Sequence, residues 1–155
     1  MHRNVRAVME AAQAQGLAIE PLSFPEGTKT ALDAANAIGV QVGQIVKSLV
    51  FLVDGAPTMA LVAGDNRLDE AKLAAATGGD GVERADGDAV RAATGFPIGG
   101  VPPIGHELPV YVDEDLLGYD EVWAAAGTWT EVFPIAPTEL VRVTEGTVSS
   151  LRAGD

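Results

Sequence analysis

The sequence predicts a mixed α+β fold with a largely antiparallel or mixed sheet, and three observations predict it. Apolar spacing switches along the chain between the strand period of 2 and the helical period of 3.6, without the regular strand–helix–strand rhythm of a parallel α/β protein. Two runs rich in Val and Leu, Gln44–Val53 and Thr58–Ala63, flank the turn residues Asp54-Gly55-Ala56-Pro57, which reads as a β-hairpin. Several helical stretches end at a glycine, the residue that most readily takes the left-handed conformation closing a helix. With 155 residues, 47% of them hydrophobic, the chain has enough apolar material for one core, so a single domain over 1–155 is expected.

Each element has its own local reason. Val5, Val8, Met9 and Ala12 fall at helical spacing, and Gly16 stops this first helix. A short apolar run, Leu17–Leu22, leads to the turn Phe24-Pro25-Glu26-Gly27. Thr30 caps a second helix, with Asp33 three residues on in a box-like pattern, and the helix runs through Ala34, Ala35 and Ile38 to Gly39. After the hairpin, Gly64-Asp65-Asn66-Arg67 breaks the strand pattern. Leu68–Thr77 is helical again, with Asp69 and Glu70 near its start, where acids suit the helix dipole.

The Gly/Asp-rich runs Gly78-Gly79-Asp80-Gly81 and Asp86-Gly87-Asp88 lack the alternating acids and terminal glutamate of a calcium loop. Asp88 instead begins a short helix, Ala89–Thr94, ended by Gly95. Pro109–Val112 is a short strand, and Asp113–Leu117 a helical turn with acids at its N-terminal end. Glu121–Ala126 and Glu131–Ile135 are strands around Gly127-Thr128-Trp129-Thr130, and Pro137 takes the first position of a last helix, Thr138–Val143.

Composition removes several classes of function. With no cysteine there is no disulfide, no thiolate nucleophile and no cysteine-ligated zinc. There are two histidines, and His2 lies in the N-terminal tail, which leaves His106 without an evident partner and makes a metal site unexpected. The apolar runs are shorter than the roughly 18–20 residues that cross a bilayer, and Met1-His2-Arg3-Asn4 leads into a polar helix, so a cytoplasmic protein without a membrane partner is expected. A net charge of −12 opposes independent, tight binding of nucleic acid, because such affinity comes mainly from Lys and Arg on phosphates. A nucleic-acid partner would be met locally, weakly or with the help of a second protein.

Phosphate-cradling and dinucleotide glycine loops, zinc-protease helices and serine-nucleophile elbows are all missing from the sequence. What remains is a lysine inside an apolar strand, hydroxyls such as Thr30 and Ser48, acids such as Asp113, and the loop Gly99-Gly100-Val101-Pro102-Pro103-Ile104-Gly105-His106. Glycines allow close backbone approach and prolines fix the path, so this loop is rigid and can hold a ligand. Lys47 has two readings at this level: its stem lies on core-like surface and its ammonium snorkels to solvent, or the ammonium serves a site. His106 likewise reads as a loop-rim residue or as an acid, base or ligand contact. Such an inventory suits hydrolysis of an activated acyl group, with N–H donors for the oxyanion and a cation for a phosphate or carboxylate, better than redox chemistry.

In this order the residues resemble the YbaK/EbsC family, stand-alone relatives of the editing domain inserted in bacterial prolyl-tRNA synthetases. The resemblance runs from about Phe24 to about Leu140. It rests on Ala31-Leu32-Asp33-Ala34-Ala35 with Gly39-Val40, on Gln44-Ile45-Val46-Lys47-Ser48-Leu49, on the helix Leu68–Leu73, and on the Gly-x-x-Pro-x-Gly loop at Gly100, Pro103 and Gly105. Thr94-Gly95, Val110-Tyr111-Val112-Asp113 and Ala125-Ala126-Gly127 complete it. The resemblance implies a sheet curled into a partial barrel with helices packed outside. It also implies hydrolysis of the ester of a mischarged aminoacyl-tRNA, commonly tRNA for proline carrying alanine or cysteine, or in other branches serine or threonine. A hydrophobic pocket separates amino acids differing by one methylene by only about 1–3 kcal/mol, which is why a second, hydrolytic sieve is needed.

On this basis Lys47, Gly100 and Gly105 are the expected catalytic set. Lys47 would contact the terminal nucleotide or aminoacyl group, and the loop would present backbone donors. Thr30, Ser48, Pro103, Ile104, His106, Asp113 and Gly127 are the expected substrate-binding set, with Gly127 on the facing wall. No cofactor and no metal are expected. The partners would be the acceptor end of mischarged tRNA and a synthetase, or a small basic patch of Lys47, Arg67 and Lys72 would meet the tRNA. Thr128-Trp129-Thr130-Glu131 departs from the charged cluster that relatives carry after the last Ala-Gly. Two other functions remain: a non-catalytic module that binds an aminoacyl end, a nucleotide or a protein partner, and a general small-ester hydrolase indifferent to Lys47.

Overall fold

A computed structural model of the chain describes residues 1–154. Five helices, α1 (Arg3–Ala14), α2 (Ala31–Ile38), α3 (Glu70–Thr77), α4 (Gly87–Thr94) and α5 (Pro137–Thr144), are interspersed with eight strands. The strands are β1 (Leu22–Ser23), β2 (Val46–Val53), β3 (Ala56–Ala63), β4 (Val82–Arg84), β5 (Val110–Asp113), β6 (Val122–Ala125), β7 (Glu131–Ile135) and β8 (Thr147–Ser149). They form a five-stranded sheet in the order β4-β2-β3-β5-β8 and a three-stranded sheet in the order β1-β7-β6. β3–β5 and β5–β8 are parallel and the other pairs antiparallel, so the α+β class with mixed, largely antiparallel pairing is what forms. Both sheets stay open among the described residues, and a parallel bridge between Ile45 and Trp123 joins them.

The hairpin is tighter than its sequence suggests. Asp54 and Gly55 have φ of 51° and 85°, a two-residue turn with both central residues left-handed, whose twist matches the strands it joins. Ala56 and Pro57 already belong to β3, paired with Val53 and Leu52. Residues 42–44 form a 3-10 turn, so β2 starts at Val46 and not at Gln44. β3 is the central strand, buried on both faces: Met59, Leu61 and Ala63 enter the main core with Val8, Ala12, Phe133 and Leu140, while Ala60 and Val62 pack with Phe51, Leu73 and Leu151.

Caps set the helix boundaries. Thr30 Oγ1 accepts the Asp33 N–H at 3.1 Å, and Gly39 closes α2 in the left-handed conformation. Asp69 takes the Ala71 and Lys72 N–H groups, so α3 begins at Glu70 and not at Leu68. The cap of α4 is Asp86, whose carboxylate accepts the Ala89 N–H at 2.8 Å, and the sequence expectation of a start at Asp88 is corrected by that bond. Pro137 opens α5 as expected. β1, β4 and β8 were not expected. They are two or three residues long and form by pairing with longer strands.

Candidate functional site

β3 covers one edge of β2 along its whole length. On the other edge β2 pairs with β4 from Phe51 to Val53 and meets β6 through the Ile45–Trp123 bridge. Among the described residues Val46–Leu49 have no strand partner on that side, and a cleft of about 420 Å³ lies over this stretch. Its walls include Ile45, Trp123, Ala124, Ala125 and Val132, with the α2 entry at Thr28–Ala31 and the loop residues Ile98, Gly99 and Val101 opposite. Lys29, Lys47 and Arg84 line it, and no aspartate, glutamate or histidine does.

Lys47 is half-buried, and its ammonium donates to the Asn66 carbonyl. Burial lowers its pKa from the ordinary lysine value, the Arg84 guanidinium lowers it further, and Asp65 and Asp113 oppose the shift. Asn66 is itself held: its side-chain amide donates to Asp113 Oδ2 at 2.9 Å and to Asp115 Oδ2 at 2.7 Å. Asp113, fully buried, also accepts the Ala63 N–H at 3.0 Å and, through Oδ1, the Asp115 N–H at 3.0 Å. The structure therefore places Asp113 behind the lysine, as a support for Asn66, and not on the cleft surface where a substrate contact was expected.

The glycine-proline loop divides. Ile98, Gly99 and Val101 line the Lys47 cleft, whereas Pro103, Ile104, Gly105 and His106 line a second cleft, of about 710 Å³, against α1 and α5. Gly100 is buried between them. A Cβ there would lie 3.0 Å from the Thr128 backbone, and its N–H donates to the Pro97 carbonyl at 2.9 Å, so this expected oxyanion donor is already engaged. Gly105 has φ of 94° and faces Phe96. His106 Nδ1 accepts the Leu108 N–H at 3.3 Å, while its buried Nε2 makes no hydrogen bond of normal geometry. Burial lowers the pKa of this ring, against the nearby Pro102 and Pro103 carbonyls.

The other expected contacts divide too. Thr30 and Ser48 line the Lys47 cleft, but the Thr30 hydroxyl is committed to its helix cap and Ser48 Oγ is buried without a partner. Gly127 packs on α1, where the Asn4 side-chain amide donates to its carbonyl at 3.0 Å. Sequence reasoning missed Lys29, Arg84, Trp123 and Trp129. The Lys29 ammonium stands 4.2 Å from the centre of the half-exposed Trp129 ring, and the indole N–H donates to the Ile98 carbonyl at 2.8 Å. This contact ties the segments at 29, 98 and 129 into one rim. The run Thr128-Trp129 in place of a charged cluster was the visible signal for it.

No group of three or more metal-ligating side chains occurs among the described residues, and no helix there is long and apolar enough to cross a membrane. The arrangement offers cations for an anionic ligand, apolar walls for a small side chain, and no acid or imidazole at the cleft surface.

A proline–tRNA ligase of Maridesulfovibrio salexigens is 38% identical over 101 residues, which take 64% of this chain and 17% of that enzyme. The chain thus spans about a sixth of the length of the ligases it matches. An Enterococcus faecalis protein, provisionally named Cys-tRNA(Pro)/Cys-tRNA(Cys) deacylase EbsC, is 31% identical over 80% of this chain and 77% of its own length. A crystal structure provisionally described as a trans-editing enzyme for prolyl tRNA synthetase superposes with a TM-score of 0.93 at 45% identity, covering 99% of each chain. The sequence profile of the aminoacyl-tRNA editing domain matches residues 25–143, most of the chain, and the chain belongs to that family.

Proposed function

We propose that the chain is a trans-acting deacylase of mischarged aminoacyl-tRNA, independent of metal, cofactor and membrane, acting in the cytoplasm as one domain over 1–155. The observation that carries this reading is the Lys47 cleft: three cations and no acid line it in a chain of net charge −12. In this reading Lys47 anchors the terminal nucleotide or aminoacyl group, Gly99 and Val101 form the near wall, and Ile45, Trp123 and Val132 enclose a small side chain such as that of alanine, cysteine, serine or threonine. The two bridged sheets are the walls of a partial barrel with helices outside.

Hydrolysis adds water across the ester, returning the free amino acid and the ribose hydroxyl of the tRNA. No carboxylate or imidazole lines the cleft to act as base, so a water positioned beside the ester and assisted by substrate hydroxyls carries the attack. The test is a panel of tRNAs for proline and other amino acids, each charged with a small wrong amino acid. Wild type should release at least one of them, Lys47→Ala should not, and a chelator should leave the rate unchanged. Inactivity of wild type on the whole panel would sink the proposal. The missing base also favours a second reading, a non-catalytic module, for which charged tRNA would bind tightly without turnover.

A further inference from the structure

A second open space, of about 720 Å³, adjoins the Lys47 cleft, and Lys47, Leu49 and Arg84 line both. It adds Phe51, Arg67 and the first residues of α3. We propose that this groove is the track of the single-stranded acceptor end, with Arg67 and Arg84 taking successive backbone phosphates on the way to Lys47. The inference rests on the deacylase reading for the identity of the strand.

The chain has ten lysines and arginines against 22 acids. Arg142 and Arg152 are paired with Glu139 and Asp115, and the Lys72 ammonium donates to the carbonyls of Arg152 and Gly154 at 2.6 and 3.2 Å. That commitment removes Lys72 from the basic patch read in the sequence. Arg3, Arg6, Arg67, Arg84 and Arg91 have no carboxylate within ion-pair distance among the described residues, and of these five Arg67 and Arg84 line the groove. Arg84 lies 5.7 Å from the centre of the Phe51 ring, a contact that positions the guanidinium without using its N–H donors.

Two acids share the groove, and one of them, Asp69, is committed to the α3 cap. Glu70 is the remaining uncommitted acid. Two arginines and a lysine lining one groove together with Leu49, Phe51 and Leu68 suit a flexible phosphate chain, whose affinity is mainly electrostatic. An acidic segment of a protein partner would meet the same charges, but it would not need the groove to run into the aminoacyl cleft.

The experiment measures binding of uncharged tRNA, and kcat/KM on the best mischarged tRNA, for wild type, Arg67→Glu, Arg84→Gln, Glu70→Gln and the charge-matched control Arg91→Glu, an exposed residue on α4. Folding of each is checked by circular dichroism. Arg67→Glu should weaken tRNA binding and kcat/KM about tenfold and reduce the slope of log affinity on log salt by about one. Arg84→Gln should do so less, and Glu70→Gln should raise both about twofold. An aminoacyl-adenosine, which ends at the terminal nucleoside, should show no fall with Arg67→Glu.

Unchanged tRNA binding in both arginine variants would overturn the track, as would an equal loss in Arg91→Glu or an equal loss on aminoacyl-adenosine. A loss seen with a synthetase present and absent with tRNA alone would also overturn it, in favour of a protein partner. Should wild type hydrolyse no tRNA while Arg67→Glu still weakens tRNA binding, the deacylase reading fails and the track stands.

Discussion

The cleft at Lys47 and the cleft at His106 are built on two halves of one loop and have opposite chemistry. The first has three cations and no acid. The second has Glu107, Glu145 and a histidine held toward its neutral form by burial, with no lysine or arginine. The second is also the larger, at about 710 Å³ against about 420 Å³. Size alone therefore points away from the cleft that a polyanionic substrate would enter, and charge points toward it. The division predicts that changes on the Lys47 side cost activity, whereas changes on the His106 side cost only stability.

The largest test is Lys47→Ala, expected to lower deacylation at least about a hundredfold with the fold intact. The companion Lys47→Met should melt higher than wild type at neutral pH, because it removes a half-buried charge. Unfolding returns the lysine to its ordinary pKa of 10.5, above the lowered folded value, so between these two values the unfolded chain holds the proton that the folded chain has lost. Wild-type stability rises through that window and the advantage of Lys47→Met should shrink there, as melting curves across alkaline pH would show. An active Lys47→Ala would end the comparison.

Next in size is Asp113→Ala, which leaves the N–H groups of Ala63 and Asp115 without their acceptor and the Asn66 amide with Asp115 alone. A loss of about 3 kcal/mol in denaturant unfolding is expected, with activity lowered in the molecules that remain folded, since Asn66 holds Lys47. Gly100→Ala and Gly105→Ala then sharpen the division within the loop. At Gly100 the new methyl meets the Thr128 backbone, which cannot yield as a side chain would, and about 1–3 kcal/mol and some activity should be lost. At Gly105 the cost is the left-handed φ of 94°, about 1 kcal/mol, with turnover per folded molecule unchanged. Equal loss of turnover in both variants would show that the loop acts as one wall.

The smallest effect belongs to His106→Gln. Burial keeps the folded-state pKa of His106 below 6.5, so as pH falls below that value the unfolded chain binds a proton that the folded chain does not, and stability is lost down to the folded pKa. The variant should flatten this acid-side loss in thermal melts while deacylation stays unchanged. A fall in activity would move His106 into the reaction.

Much of this architecture was legible in the chain, because caps and turns are local. Thr30, Asp33 and Gly39 mark α2 by chemistry confined to ten residues, and the hairpin is marked by Asp54-Gly55-Ala56-Pro57, of which only Asp54 and Gly55 form the turn. Lys47 was legible as a charge amid apolar neighbours. Arg84 was not, because its three-residue strand exists only through pairing with β2. Nor did spacing show that the loop turns its halves to different sides at the buried Pro102 and Pro103, or that Asp113 faces inward. An acid before a helical turn caps that turn as readily as it meets a ligand, and here its carboxylate accepts the Asp115 N–H. What escaped the sequence was which short segment would pair with β2 and in which direction the loop and the Asp113 side chain point.

The uncovered edge of β2 has a further consequence, for solubility. A bare strand edge is a template on which another chain can add a strand, and proteins protect such edges with charge, bulges or short length. Here the free stretch is Val46–Leu49, bounded by β4 at one end and by the β6 bridge at the other. It is shorter than a typical strand of about 5–6 residues and carries Lys47 at its middle. A foreign strand cannot lie down in so short and charged a gap, so the same interruption that opens the backbone to a small ligand closes it to aggregation.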